Sequence, residues 1–159
     1  MALKILATAD LHLGKRSSGL SVNSDWISAK HVWQSIVEWA IQNSVDVLRL
    51  CGDVIDQNNR YFEAIGPLQE GFDRLEQDGI SVFMVSGNHD YDVLPQVMRG
   101  RIFSNVDLLG LNGRWEVKVF SKGDQTLQFV GWSYPHRVVQ ENPIVQLNSI
   151  KIDPNIPSI

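Results

Sequence analysis

A chain of 159 residues with 43% hydrophobic and 20% charged residues has the size and composition of one ordinary globular domain. The net charge of -4 supplies no basic footprint for a phosphate backbone, and no stretch approaches the roughly 20 apolar residues that cross a bilayer, so charge is silent on nucleic acid and membrane insertion is not expected. The single Cys51 cannot close an internal disulfide and Met1-Ala2-Leu3-Lys4-Ile5 opens no apolar leader, which points to a reducing, cytoplasmic setting.

Leu3 to Ala9 is a nearly continuous apolar run, the pattern of a strand buried on both faces, and it ends at Asp10. From Ser24 the spacing changes: Ala29, Val32, Trp33, Ile36, Val37, Ala40 and Ile41 form one stripe, predicting a helix capped by Ser24 or Asp25 and ending near Asn43. Val45 to Cys51 reads as a second buried strand, ending at Gly52-Asp53. Tyr61, Ile65, Leu68, Phe72 and Leu75 mark a second amphipathic helix, which Gly66-Pro67 should kink or split and Gly79 should close. Ile80 to Ser86 is a third strand, ending at Gly87-Asn88. Alternating strands and helices predict right-handed crossovers and a parallel sheet covered by helices, an α/β fold. After Arg101 come shorter apolar pieces, Val106 to Leu111, Trp115 to Phe120 and Thr126 to Ser133, the last two joined as a hairpin through Ser121-Lys122-Gly123-Asp124. Ile156-Pro157-Ser158-Ile159 reads as the opening of another strand.

Three polar clusters follow the first three strands: Asp10-Leu11-His12, Gly52-Asp53-Val54-Ile55-Asp56 and Gly87-Asn88-His89-Asp90. The carboxyl ends of parallel strands converge on one edge of a sheet, where ligands bind. Carboxylate, amide and imidazole donors without thiolate favour a divalent ion such as manganese, iron, magnesium or zinc. Gly52 and Gly87 let the chain turn sharply beside the donors. Asp-x-His alone is a weak signal, and Gly-Asn-His-Asp is the sharpest of the three; their order, each at a strand end, is what carries weight.

With these residues the sequence resembles the calcineurin-like metallophosphoesterase superfamily, whose ordered motifs are Asp-x-His, Gly-Asp-x-x-Asp, Gly-Asn-His-Asp/Glu, a lone histidine and Gly-His-x-His. Asp10-Leu11-His12-Leu13-Gly14 and Phe129-Val130-Gly131-Trp132-Ser133-Tyr134-Pro135 further resemble the branch of DNA-repair exonucleases that contains the SbcD nuclease subunit. The resemblance implies an α/β/β/α sandwich of mixed sheets flanked by helices. It also implies two divalent ions, manganese first among the four metals, with Asp10 and His12 on one, Asp53 bridging both and Asn88 on the other. His89 would face the scissile phosphate, and Asp90 would orient it. Asp56, Gly52 and Gly87 would support these groups from behind, and Lys15 and Arg16 would touch phosphate or simply be solvated. The implied activity is hydrolysis of DNA in repair, beside an SMC-like ATPase subunit and in a homodimer. A phosphoesterase for small nucleotides or phosphoproteins is the alternative.

Only His136 follows His89, and it matches neither of the family's last two motifs. The chain therefore reads as the N-terminal portion of one catalytic domain spanning residues 1–159, or as a catalytically incomplete binding module. Elsewhere, His31 is expected on the polar side of the first helix and His136 in a hydrogen-bonded turn. Cys51 is expected as a small packed hydrophobe, and Trp26, Trp33, Trp39, Trp115 and Trp132 as core or helix-face aromatics.

Overall fold

The computed structural model describes residues 2–15, 28–56 and 61–159. Four short strands, β1 (Ile5–Thr8), β2 (Val47–Cys51), β3 (Ser81–Val85) and β4 (Val106–Leu108), form one parallel sheet in the order β1-β2-β3-β4. Each is shorter than its apolar run, because the flanking residues turn into loops and caps. Sequential order requires a crossover between every pair, and α1 (Ala29–Gln42), α2 (Tyr61–Gln77) and α3 (Val93–Gly100) supply them.

Period-two alternation decides which layer each strand residue joins. Leu48, Leu50, Val82 and Met84 bury themselves beneath Trp33, Val37, Leu68, Phe72 and Leu94 of the helices. Val47 and Phe83 point to the other face and pack with Leu109 and Phe129. That second cluster joins the parallel sheet to an antiparallel hairpin, β5 (Glu116–Lys122) and β6 (Gln125–Gly131), with the Phe83 and Phe129 rings stacked at 4.1 Å. Gly123 takes φ 60° at the first position of its two-residue turn, the left-handed value that such hairpins use there. The expected hairpin is thus present, in an α/β/β arrangement. An outer layer of α-helices is not seen among the described residues. The expected final strand does begin: Gln128 N–H donates to Pro157 O at 2.9 Å and Val130 N–H to Ile159 O at 2.9 Å, so residues 156–159 run parallel to β6.

Three helical expectations change. The cap of α1 is Ser28, whose hydroxyl accepts His31 N–H at 3.2 Å, while Ser24, Asp25 and Trp26 lie outside the described residues. Val32, included in the apolar stripe, is 45% exposed, because Trp33, Val37 and Ala40 are the buried face of the helix. Neither Gly66 nor Pro67 divides α2, which continues to Gln77. Leu68, Phe72 and Leu75 are wholly buried beyond the break in hydrogen bonding, and this packing holds the helix together. The Pro67 carbonyl also accepts the Trp33 indole N–H at 2.9 Å. The third change is α3, an element absent from the expected set: eight residues beginning three beyond Asp90, with Val93, Leu94 and Val97 buried. Their i, i+1, i+4 spacing is the available signal, too short to separate from loop.

Gly71 of α2 receives the Trp33 ring of α1, since a β-carbon there would lie 2.5 Å from it. Gly71→Ala is expected to lower stability by about 1–3 kcal/mol through overpacking, outweighing the roughly 1 kcal/mol that alanine gains in helix propensity. Urea unfolding reads the difference, and an unchanged or raised midpoint would contradict it.

Candidate metal centre

Parallel pairing of β1 and β2 does not stop where the strands end. Asp10 N–H donates to Gly52 O (3.2 Å), His12 N–H to Asp53 O (2.9 Å), Leu13 N–H to Val54 O (2.9 Å) and Asp56 N–H to Leu13 O (2.9 Å). The first two motifs are therefore sewn together along the main chain. Within this seam Asp10, His12 and Asp53 take φ of 55°, 46° and 50°. Left-handed backbone at non-glycine residues costs about 1–3 kcal/mol each and gathers where surrounding structure holds a functional geometry in place.

The third motif meets the second through two glycines. Gly52, at φ 91°, lies against Gly87, where a β-carbon would penetrate the Asp53 carboxylate. Asp53 Oδ1 in turn accepts His89 N–H at 2.9 Å. The expected convergence of the three clusters is thus physical contact, with Asn88 half-buried on the turn between Gly87 and His89.

One donor atom each from Asp10, His12 and Asp53 lies within 4.8 Å of the others, a spacing open to one ion with ligands at about 2.0–2.2 Å. Asp10 Oδ1 stands 3.8 Å from His12 Nε2, and Asp56 Oδ2 stands 3.4 Å from His12 Nδ1 on the far side of the ring. A carboxylate behind a histidine fixes which nitrogen keeps the proton and leaves the other free for a cation. His89 lies edge-to-face against His12 with centroids 5.0 Å apart. His12, Asp56 and His89 also bring donor atoms within 4.8 Å of one another, and Nδ1 of both histidines is buried without a hydrogen bond. The carboxylates of Asp10 and Asp53 together with His12 Nε2, which faces Asp10, are a donor set that fits a divalent cation. Asp56→Asn is expected to weaken ion binding about 10–100-fold by loosening the His12 ring. Calorimetric titration with manganese measures this, and wild-type affinity in the variant would contradict it.

Asp90 departs from the reading in which it orients His89. Its carboxylate is fully buried and accepts three backbone N–H groups, from Gly87 (2.6 Å), Val54 (2.8 Å) and Ile55 (3.3 Å), with no bond to the His89 imidazole. Burial pushes its pKa up to about 6, although the three N–H donors pull the other way. Asp90 is a brace between the second and third motifs.

Lys15 is exposed just beyond His12, whose carbonyl accepts its N–H at 3.0 Å, and Arg16 lies outside the described residues. His31 is exposed, as expected of a helix surface, and His136 is exposed on a bend. Cys51 is exposed rather than packed, because its side chain alternates to the face of β2 that the hairpin leaves open. Trp33 is wholly buried, Trp39 is 51% exposed, and Trp115 and Trp132 lie half-buried against each other. One contributor has no role assigned from the sequence. Ser133 Oγ accepts Ser86 N–H at 2.9 Å and donates to Leu109 O, supporting the loop that carries Asn88 and His89 from the second sheet. The segment around Ser133 is visible as a motif, but a strut between two sheets has no sequence spacing of its own.

Comparison with known proteins agrees with this geometry. The chain is 29% identical over 153 residues to the uncharacterized metallophosphoesterase YhaO of Bacillus subtilis, covering 88% of this chain and 36% of that protein. It is 34% identical over 89 residues to the SbcD component of the SbcCD nuclease of Staphylococcus epidermidis, covering 55% of this chain and 23% of that one. In fold it resembles the crystal structure of a dimetal phosphatase from Danio rerio, with a TM-score of 0.54 at 18% identity over 91% of this chain and 49% of the other. The chain thus spans about a quarter to a half of the length of these relatives. The calcineurin-like phosphoesterase family matches residues 3–153, and with its three motifs assembled on one edge of the sheet this chain belongs to that family.

Proposed function

We propose that this chain carries the metal-binding half of a phosphodiesterase acting on DNA, of the nuclease type to which the SbcD component belongs. The observation that carries the reading is the meeting of Asp10, His12 and Asp53 within ligand distance, with the His89 ring against His12. Divalent ions, manganese in the first instance, would be held by Asp10, His12, Asp53 and Asn88 and would supply Lewis-acid polarisation of a phosphate and a lowered pKa for water. The chain's own part is positional. Asp53 fixes the His89 backbone while Asp56 faces the back of His12, and the His89 imidazole would give a proton to a departing oxygen. DNA as substrate, a role in repair, an SMC-like ATPase partner and a homodimer follow from the resemblance to the nuclease branch that contains SbcD, and a cytoplasmic setting from the single Cys51. Among the described residues no helix is long and apolar enough to cross a membrane.

Manganese-dependent hydrolysis of double-stranded DNA, with Asp53→Asn as control, tests the proposal; equal rates in the two proteins would sink it. The alternative is a small nucleotide or other compact phosphodiester as substrate, a choice on which the net charge of -4 is silent. Cleavage of a small diester with none of DNA would select it. Ion stoichiometry separates both from a binding module: two ions per chain mark a catalytic centre, whereas one weak ion or none marks a module.

A further inference from the structure

We infer that Tyr134 is a stacking platform for a nucleobase next to the metal centre, an assignment that rests on the DNA reading above. Its backbone N–H donates to Ser86 O at 3.2 Å. Ser86 immediately precedes Gly87-Asn88-His89, so Tyr134 is tied by one hydrogen bond to the loop that carries two of the site residues. The preceding Ser133 fastens the same loop through Ser86 N–H, which makes the attachment two-point and rigid.

Behind the tyrosine the support is aromatic. Trp132 meets the Tyr134 ring edge-to-face with centroids 5.1 Å apart, and Trp115 lies 6.5 Å beyond Trp132 with its indole N–H held by Pro143 O at 2.8 Å. Tyr134 is 36% exposed, so its ring is braced by the row and still open to solvent.

An aromatic ring kept open costs free energy in hydrophobic burial, and a ring held from behind loses little further entropy on binding. A flat partner is the natural occupant. Exposed Arg137 follows three residues on and Lys15 is exposed on the first motif loop, a combination of cations and an aromatic face that suits a base attached to a phosphate. Stacking of a base on an aromatic side chain contributes about 1–3 kcal/mol, or roughly 5- to 150-fold in affinity.

The test is fluorescence anisotropy of the chain with short labelled single strands, one ordinary and one carrying an abasic position at its end, with divalent ion omitted so that no cleavage occurs. Wild type is expected to bind the ordinary strand more tightly than the abasic one by a factor in that range. Tyr134→Leu, which keeps bulk without a π-face, should lose the preference, and Tyr134→Phe should retain it. With manganese restored, Tyr134→Leu should raise KM for DNA while kcat changes little, which a general loosening of the fold would not produce. A preference that survives in Tyr134→Leu, or is lost in Tyr134→Phe, overturns the platform while leaving DNA hydrolysis by wild type intact. Wild type that neither binds nor cleaves DNA overturns the platform together with the reading beneath it.

Discussion

Asp53→Asn is expected to leave the fold in place and remove divalent-ion binding. The amide oxygen of asparagine can still accept the His89 N–H that Asp53 Oδ1 now accepts at 2.9 Å, so the turn bearing Asn88 keeps its anchor. What disappears is the negative charge and the second oxygen facing the donors of Asp10 and His12. Loss of an outer partner of a ligand costs about 10–100-fold, and loss of a ligand that would serve two ions should exceed it, about 10³-fold in affinity or in hydrolysis rate. Manganese titration by calorimetry, paired with a thermal melt in chelator, separates the two effects. Equal ion affinity in variant and wild type would remove Asp53 from the centre, and a collapsed melt would show that its charge is needed for folding.

Gly87→Ala should be nearly as damaging by a different route. The new methyl would occupy the space of the Asp53 carboxylate, and Gly52 packs closely on Gly87 as well, since a β-carbon at Gly52 would lie 3.3 Å from Gly87 Cα. Either the carboxylate rotates away from Asp10 and His12 or the third motif withdraws, which breaks the Gly87 N–H bond to Asp90 at 2.6 Å. In the first case ion affinity falls by more than about 100-fold with a modest loss of stability. In the second, a buried carboxylate loses a donor and stability falls by about 1–3 kcal/mol. A structure of the variant distinguishes the routes, and wild-type ion binding would show that the loop accommodates the methyl.

The parallel sheet is legible in the sequence because apolar runs buried on both faces leave an unmistakable trace, and the three motifs at their ends locate the centre. Boundaries shift where capping decides, by three or four residues at Ser28, which competes with the small polar residues Ser24 and Asp25 upstream. α2 survives Pro67 because tertiary burial of Leu68, Phe72 and Leu75 outweighs a lost hydrogen bond, something local propensity cannot weigh. Asp90 escapes a sequence reading because it stands one residue from His89, and neighbours on a tight turn need not face each other. Its three backbone partners come from two separate motifs, a relation visible only after folding. Cys51 shows the converse: a strand-end residue is buried only if something covers its face.

The seam that continues from β1 and β2 into the motif loops has a consequence for how an ion would arrive. Four main-chain bonds, none of which uses a side-chain donor to an ion, hold Asp10, His12 and Asp53 in left-handed conformations. Ordering of the donors is therefore completed as the chain folds. Capture becomes chiefly a matter of stripping water from the ion, so its speed should follow the water-exchange rate of the metal chosen and not the motion of the loops.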